Sequence, residues 1–132
     1  MSNPGLKRLM SVAATVSLVT LPITADAARA FLTGAKVIEV RSFGAGNFGS
    51  CVAQIDQNVN ADGDRSLSCG NQFLVSFGCD GESTNSRSEA QLMYNTAQLA
   101  LVTGNVVDVL VNDGERYNGT LCVAEAILVK SN

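Results

Sequence analysis

Four cysteines constrain this chain more than any other feature, because they follow a stretch laid out as an export signal. Lys7 and Arg8 precede Leu9 to Leu21, a run without charge, and Pro22 leads into the small-residue stretch Ala25-Asp26-Ala27-Ala28-Arg29-Ala30. A positive region, an apolar core and a small-residue cleavage site are the three parts of a secretory signal peptide. The apolar run is 13 residues long, whereas a helix needs about 20 to cross a bilayer. The segment is therefore expected to be a cleaved signal and not a membrane span. Cleavage after Ala27 satisfies an Ala-x-Ala rule, as does cleavage after Ala30. Residues 1–27 are read as the signal peptide and 28–132 as one mature domain, secreted or periplasmic. In an oxidising compartment Cys51, Cys69, Cys79 and Cys122 imply two disulfides, with three pairings possible.

The remaining composition removes most enzyme classes. The chain has no His, so Ser-His-Asp and Cys-His nucleophile systems, His-ligated zinc and the usual neutral-pH proton shuttle are absent. Zinc held by thiolates alone is also not expected, since such sites use close Cys-x-x-Cys pairs and the nearest two cysteines here, Cys69 and Cys79, are ten positions apart. Nine Lys and Arg against twelve Asp and Glu, a net charge of −3, argue against a nucleic-acid partner, which requires clustered positive charge. Asp108, Asp113 and Glu115 are the carboxylates available to a hydrolase, but turns favour acids anyway and no two sit in a recognisable catalytic setting. No enzymatic activity and no cofactor is expected.

The mature chain reads as five strands and one helix. Ala35 to Phe43 alternates, with Ile38 and Val40 on one face and Glu39 and Arg41 on the other; Cys51 to Asp56 does the same, placing Cys51, Ala53 and Ile55 inward. After a polar turn at Asn58 to Asp64, the residues Leu67, Cys69, Phe73, Val75, Phe77 and Cys79 all occupy odd positions, so one long or bulged strand sends them to the core. From Ser88 the period changes: Ala90, Met93, Ala97, Ala100 and Leu101 recur at three and four, Ser86 or Ser88 can cap the start and Gly104 the end, which predicts the single helix. Val107, Val109 and Val111 alternate against Asp108, Asn112-Asp113-Gly114 supplies a turn, and a last strand from Thr120 to Lys130 puts Cys122, Ala124, Ala126 and Leu128 on one face. The order β-β-β-α-β-β is that of a small five-stranded OB-fold-like barrel, mainly β with one helix. If the turn centres near Asn60, Cys51 lies opposite Cys69 and an inward Cys79 is left to meet Cys122.

Three short motifs carry a possible chemistry. Gly44-Ala-Gly46-Asn-Phe-Gly49 has the letters of a dinucleotide fingerprint, but leads into a strand where a helix should hold the pyrophosphate, and so reads as a hairpin loop. Its aromatics Phe43 and Phe48 flank a tip that either touches a ligand or covers the barrel end. Asn58-Val-Asn60-Ala-Asp62-Gly63-Asp64 begins like a calcium loop. However, Arg65 stands at the eighth place and Cys69 at the twelfth, where an aliphatic residue and a bidentate Glu belong; an exposed turn without a metal is expected. Asn118-Gly-Thr120 is a glycosylation sequon that, in a bacterial exported protein, reads only as a turn.

Phe31-Leu-Thr33-Gly34-Ala-Lys-Val37-Ile38, the placing of Cys51 and Cys69, and Leu92-Met-Tyr94-Asn95-Thr-Ala97 closing in Thr103-Gly104 together resemble the B subunits of subtilase cytotoxin and typhoid toxin. The first segment is similar to that family's Phe-Ser-Gly-x-Val-Ile start and the last to its helix. Leu101 stands about where the family has a glycan-facing Tyr, and Cys79 and Cys122 differ from its second cysteine pair. The resemblance implies an OB-fold, a homopentamer that binds a cell-surface glycan, and a toxin A subunit as partner. It places the glycan contact at Thr33, which keeps the hydroxyl of the family's Ser, with Gly34 allowing a sugar to approach the backbone and Phe31 beside it to stack. The alternative expectation is a periplasmic or envelope-associated structural domain.

Overall fold

The computed structural model describes residues 27–61 and 67–131; residues 1–26, where the signal peptide is expected, and the last part of the expected Asn58 to Asp64 turn lie outside them. Five strands and one helix run in the order β1 (Arg29–Ser42), β2 (Cys51–Ile55), β3 (Leu74–Ser76), α1 (Arg87–Thr103), β4 (Val106–Tyr117) and β5 (Leu121–Lys130). The mainly β architecture with a single helix expected from the sequence is what the chain adopts. The sheet closes in a ring, β1-β2-β3-β5-β4 and back to β1, antiparallel throughout except where β3 meets β5. This arrangement is compatible with an OB-like fold.

The helix follows from local signals. Ser86 caps it, its hydroxyl accepting from Glu89 N–H while the Glu89 carboxylate accepts from Ser86 N–H, a reciprocal capping box. The Ser86 hydroxyl, which also donates to Glu89 Oε2 at 2.7 Å, and then the Ser86 N–H favour the charged carboxylate and hold Glu89 below its ordinary value. Gly104 ends the helix with φ +71, a left-handed residue no side-chain-bearing residue adopts as readily. Ala90, Met93, Tyr94, Ala97 and Ala100 are buried against the sheet, where the Tyr94 ring meets the edge of Phe77 at 6.2 Å. Phe77 is the largest fully buried side chain of a core built mostly from Val and Ala.

Strand parity departs from the sequence reading wherever a bulge intervenes. In β1, Ala30 and Leu32 point inward, but the register slips between Leu32 and Ala35 at Gly34, and again between Val37 and Glu39. Each slip moves the buried set to the other parity. Ala35 and Val37 become the core residues, Val40 packs at the core margin and Ile38 is 52% exposed, so Ile38 and Val40 do not share a face. In β5, Glu125 has no partner between the pairs Val111 with Ala124 and Leu110 with Ala126. Ile127 and Val129 consequently pack against the core, and Leu128 faces solvent instead of following Cys122 and Ala124 inward.

One expected turn moves and one expected strand shortens. The Asn112-Asp113-Gly114 segment is a bulge inside β4, and the hairpin turns at Asn118-Gly119, φ +51 and +68. A tight two-residue hairpin of this kind needs positive φ at both central residues, which Asn-Gly supplies and Asp113-Gly114 does not adopt here. The long strand expected through residues 67–79 shrinks to Leu74–Ser76. Asn71 Oδ1 accepts from the N–H groups of Phe73 and Leu74, and Gly78 takes φ +75, so both ends of the strand are broken locally. Leu67, Cys69, Val75 and Phe77 are buried as expected, but Phe73 is 43% exposed.

The disulfides are Cys51–Cys79 and Cys69–Cys122, not Cys51–Cys69 and Cys79–Cys122. The cause is register: β2 pairs with β3 as Val52 with Ser76, Ala53 with Val75 and Gln54 with Leu74, a ladder centred four residues beyond Asn60. That shift brings Phe77 across from Cys51, with Phe77 N–H donating to Cys51 O at 3.1 Å, and Cys79 follows two residues later. The 67–71 segment instead lies on the start of β5, where Asn71 N–H donates to Thr120 O at 3.1 Å.

Candidate functional site

Phe31, Thr33 and Gly34 do share one surface. The bulge at Gly34, φ +69, turns the β1 backbone outward and removes it from the ladder with β4. Backbone groups that leave a ladder need other partners, and three side chains supply them. Gly34 N–H donates to Asp108 Oδ1 at 2.8 Å, Gln57 Nε2 donates to Thr33 O at 3.0 Å, and Lys36 N–H donates to Asp56 Oδ1 at 2.7 Å. Asp108 is itself paired with Lys130. Lys130 and then the Gly34 amide hold its carboxyl below the ordinary value. The braced corner leaves Thr33 exposed beside Phe31, 42% exposed, at the rim of a shallow depression of about 290 Å³ that Gln57, Asn58 and Ala61 complete. A Cβ built on Gly34 would meet nothing within 4 Å, so the backbone there is open to an approaching group.

Gln57, Asn58 and Asp108 belong to this surface and were not singled out for it from sequence. Asp108 could be placed on the outer face of β4 by its alternation with Val107 and Val109, but its partner Gly34 is 74 positions away. The other carboxylates hold separate parts of the fold. Asp113 accepts from Ala28 N–H at 2.7 Å and Ser68 N–H at 3.1 Å, while Glu115 accepts from the backbone and hydroxyl of Thr84. Of the calcium-like stretch, Asn58 Oδ1 accepts from Asn60 N–H and Asn60 Oδ1 from Cys69 N–H. Asp62 and Asp64 lie outside the described residues. Leu101 packs at the core margin.

The Gly44 to Gly49 motif forms the connection between β1 and β2, as a hairpin loop. Phe48, Gly49 and Ser50 take φ +52, +74 and +67, three consecutive left-handed residues of which two carry side chains. Each such non-glycine residue costs on the order of 1–3 kcal/mol unless its surroundings impose the conformation. Here they do: Ser76 Oγ, fully buried, donates to Phe48 O at 2.8 Å, and Phe43 N–H donates to Ser50 O at 2.8 Å. Any Cβ on Gly49 would collide with Ser76 Oγ and the Tyr117 ring. Burial and the hydrogen bond it donates to Asp80 at 2.6 Å raise the Tyr117 phenol above its usual value.

No family model matches the chain, and no curated protein or solved structure matches it significantly. Two disulfides point to an oxidising, extracytoplasmic environment. No helix among the described residues is long and apolar enough to cross a membrane.

Proposed function

We propose that the chain is an exported binding module that meets a cell-surface glycan at the Thr33–Gly34 corner, as a homopentameric B subunit carrying a toxin A subunit would. The observation that carries this reading is the corner itself: an exposed hydroxyl and an open backbone beside an aromatic ring, on a bulge fixed by Gln57, Asp56 and Asp108. Fixed polar groups next to an apolar face suit a sugar, which offers both. Contact at one corner is weak, and a ring of copies multiplies it.

Export with cleavage after Ala27 is part of the proposal. Ala28 N–H donates to Asp113 Oδ1 and Ala28 O accepts from Asp113 N–H at 3.0 Å, so a terminus created at Ala28 places its ammonium on a carboxylate. Cleavage after Ala30 would strip the buried Ala30 and the first rungs of the ladder between β1 and β4. The intact mass of the exported protein is expected to begin at Ala28.

Binding to a glycan array, lost in Thr33→Ala with melting temperature and oligomeric mass unchanged, is the expected outcome, since one exposed hydroxyl contributes little to stability. A monomer that gives no array signal at high concentration would leave the envelope-associated structural domain as the reading.

A further inference from the structure

A second surface lies at the opposite end of β1. Arg41 and Phe43 are eight and ten residues beyond Thr33, up to about 30 Å along an extended strand. Phe43 and Phe48 stand 5.2 Å apart at 60°, and with Val52, Leu74 and Leu121 they wall an open pocket of about 350 Å³. In a chain with only five Phe and two Tyr, two of these rings are spent on a half-exposed wall. The strained Phe48 to Ser50 backbone, held by the buried Ser76 hydroxyl, sets the direction in which the Phe48 side chain leaves the chain before any ligand arrives. Strain imposed in this way is characteristic of ligand clamps.

The polar rim decides the class of ligand. Arg41, Asn71 and Thr120 border the apolar wall. Asn71 Oδ1 is held by Phe73 and Leu74 N–H, so its Nδ2 donor points the other way. Arg41 is the cation at this rim, and it is already engaged, Nε and Nη2 donating to both oxygens of Glu39 at 2.8 Å, with Nη2 also reaching Gln54 Oε1 at 3.3 Å. Two ring ligands that both stack on phenylalanine and carry hydrogen-bonding groups for such a rim are a planar nucleobase and a pyranose, a chair with one apolar C–H face. A nucleic acid brings a phosphate for every base and needs several free cations along its track; the one cation among the described residues of this rim, Arg41, is taken up by Glu39. We propose that the Phe43–Phe48 pocket is a saccharide-binding site, distinct from the Thr33 corner, that stacks the apolar face of a pyranose on Phe48 and hydrogen-bonds its hydroxyls to Asn71 and Thr120.

This site stands or falls separately from the Thr33 corner, because its responses arise in different amides. Methyl glucopyranoside, methyl galactopyranoside and N-acetylglucosamine are titrated into the isotope-labelled protein in the millimolar range, and a thymidine oligonucleotide in parallel. The expected result is saturable amide shifts at Gly49, Ser50, Gly70, Asn71 and Thr120 with at least one sugar. Phe48→Ala should weaken them about tenfold, and Thr33→Ala should leave them intact. If Phe48→Ala fails to fold, Phe48→Leu retains apolar cover without a ring face and is expected to weaken binding likewise. Three results with the parent protein would each overturn the site: no shift with any of the three sugars, shifts confined to residues 31–34 and 57–61, or an oligonucleotide response at the same amides exceeding that of the sugars. Unchanged sugar affinity in folded Phe48→Leu would do the same.

Discussion

Asp108 faces away from the barrel interior, yet its side chain is only 9% exposed, because Lys130 and the Gly34 amide close over it. Lys130 first, and the Gly34 hydrogen bond second, depress its carboxyl below 3.8. A carboxyl with a lowered folded value stabilises the native state above the unfolded value and loses that contribution as pH falls through the folded one. Asp108→Asn should therefore be less stable than the parent at neutral pH, with the gap whole above about pH 4 and closing in stronger acid. Urea midpoints of the two proteins at a series of pH values measure this; a gap that does not change with pH would assign Asp108 a purely steric role. At this scale the sequence revealed half of the surface. Phe31, Thr33 and Gly34 could be chosen because they are contiguous, whereas Gln57 and Asp108 act on residues 24 and 74 positions away, and no local pattern encodes such a partner.

Helix α1 was readable almost to the residue, since both of its ends are written in adjacent side chains, Ser86 with Glu89 at the start and Gly104 at the finish. The strands were readable in number and order but not in facing. Alternation gives the face only while the register holds, and the slips at Gly34, after Val37 and at Glu125 are fixed by what the neighbouring strand demands. β3 shows the same dependence: three residues long, it meets β5 through the single pair Ser76 with Val123. Beyond that pair the two strands are joined by a side chain, as Asn85 Nδ2 donates to Phe77 O at 3.1 Å and Ala124 O at 2.9 Å. Asn85→Ala leaves both carbonyls without this donor, and at about 0.5–1.5 kcal/mol for each such bond should cost roughly 1–3 kcal/mol. Thermal unfolding gives the total, and hydrogen exchange should show the loss of protection concentrated at β3 and the first half of β5. Uniform loss across the sheet would mean that Asn85 contributes only to the start of α1.

The ring as a whole is closed unevenly, and the disulfides fall on its weak side. Cys51, Cys69 and Cys122 are buried and Cys79 packs at the core margin, so sequence parity sent the right residues inward. It erred on partners because a four-residue shift of the β2–β3 ladder cannot be seen in a period of two. Non-reducing peptide mapping should recover Cys51 with Cys79 and Cys69 with Cys122. With sequence separations of 28 and 53, the loop-entropy relation assigns the bridges about 3.5 and about 4 kcal/mol. Chain entropy thus hardly distinguishes them; position does. Cys69–Cys122 ties the segment before β3 to the start of β5, across the seam that holds one ladder pair, whereas Cys51–Cys79 reinforces β2 against the chain just past β3, where the ladder already has three pairs. The double variant Cys69→Ala, Cys122→Ala should therefore open the β3–β5 seam at denaturant concentrations where β1, β2 and β4 remain paired. Native-state hydrogen exchange would show it as early loss of protection at Ser76 and Val123. The variant Cys51→Ala, Cys79→Ala, with a similar loss of total stability, should instead unfold in one step. Equal, all-or-none unfolding of both variants would mean that the seam is held by the packed core around Phe77 rather than by its bridge.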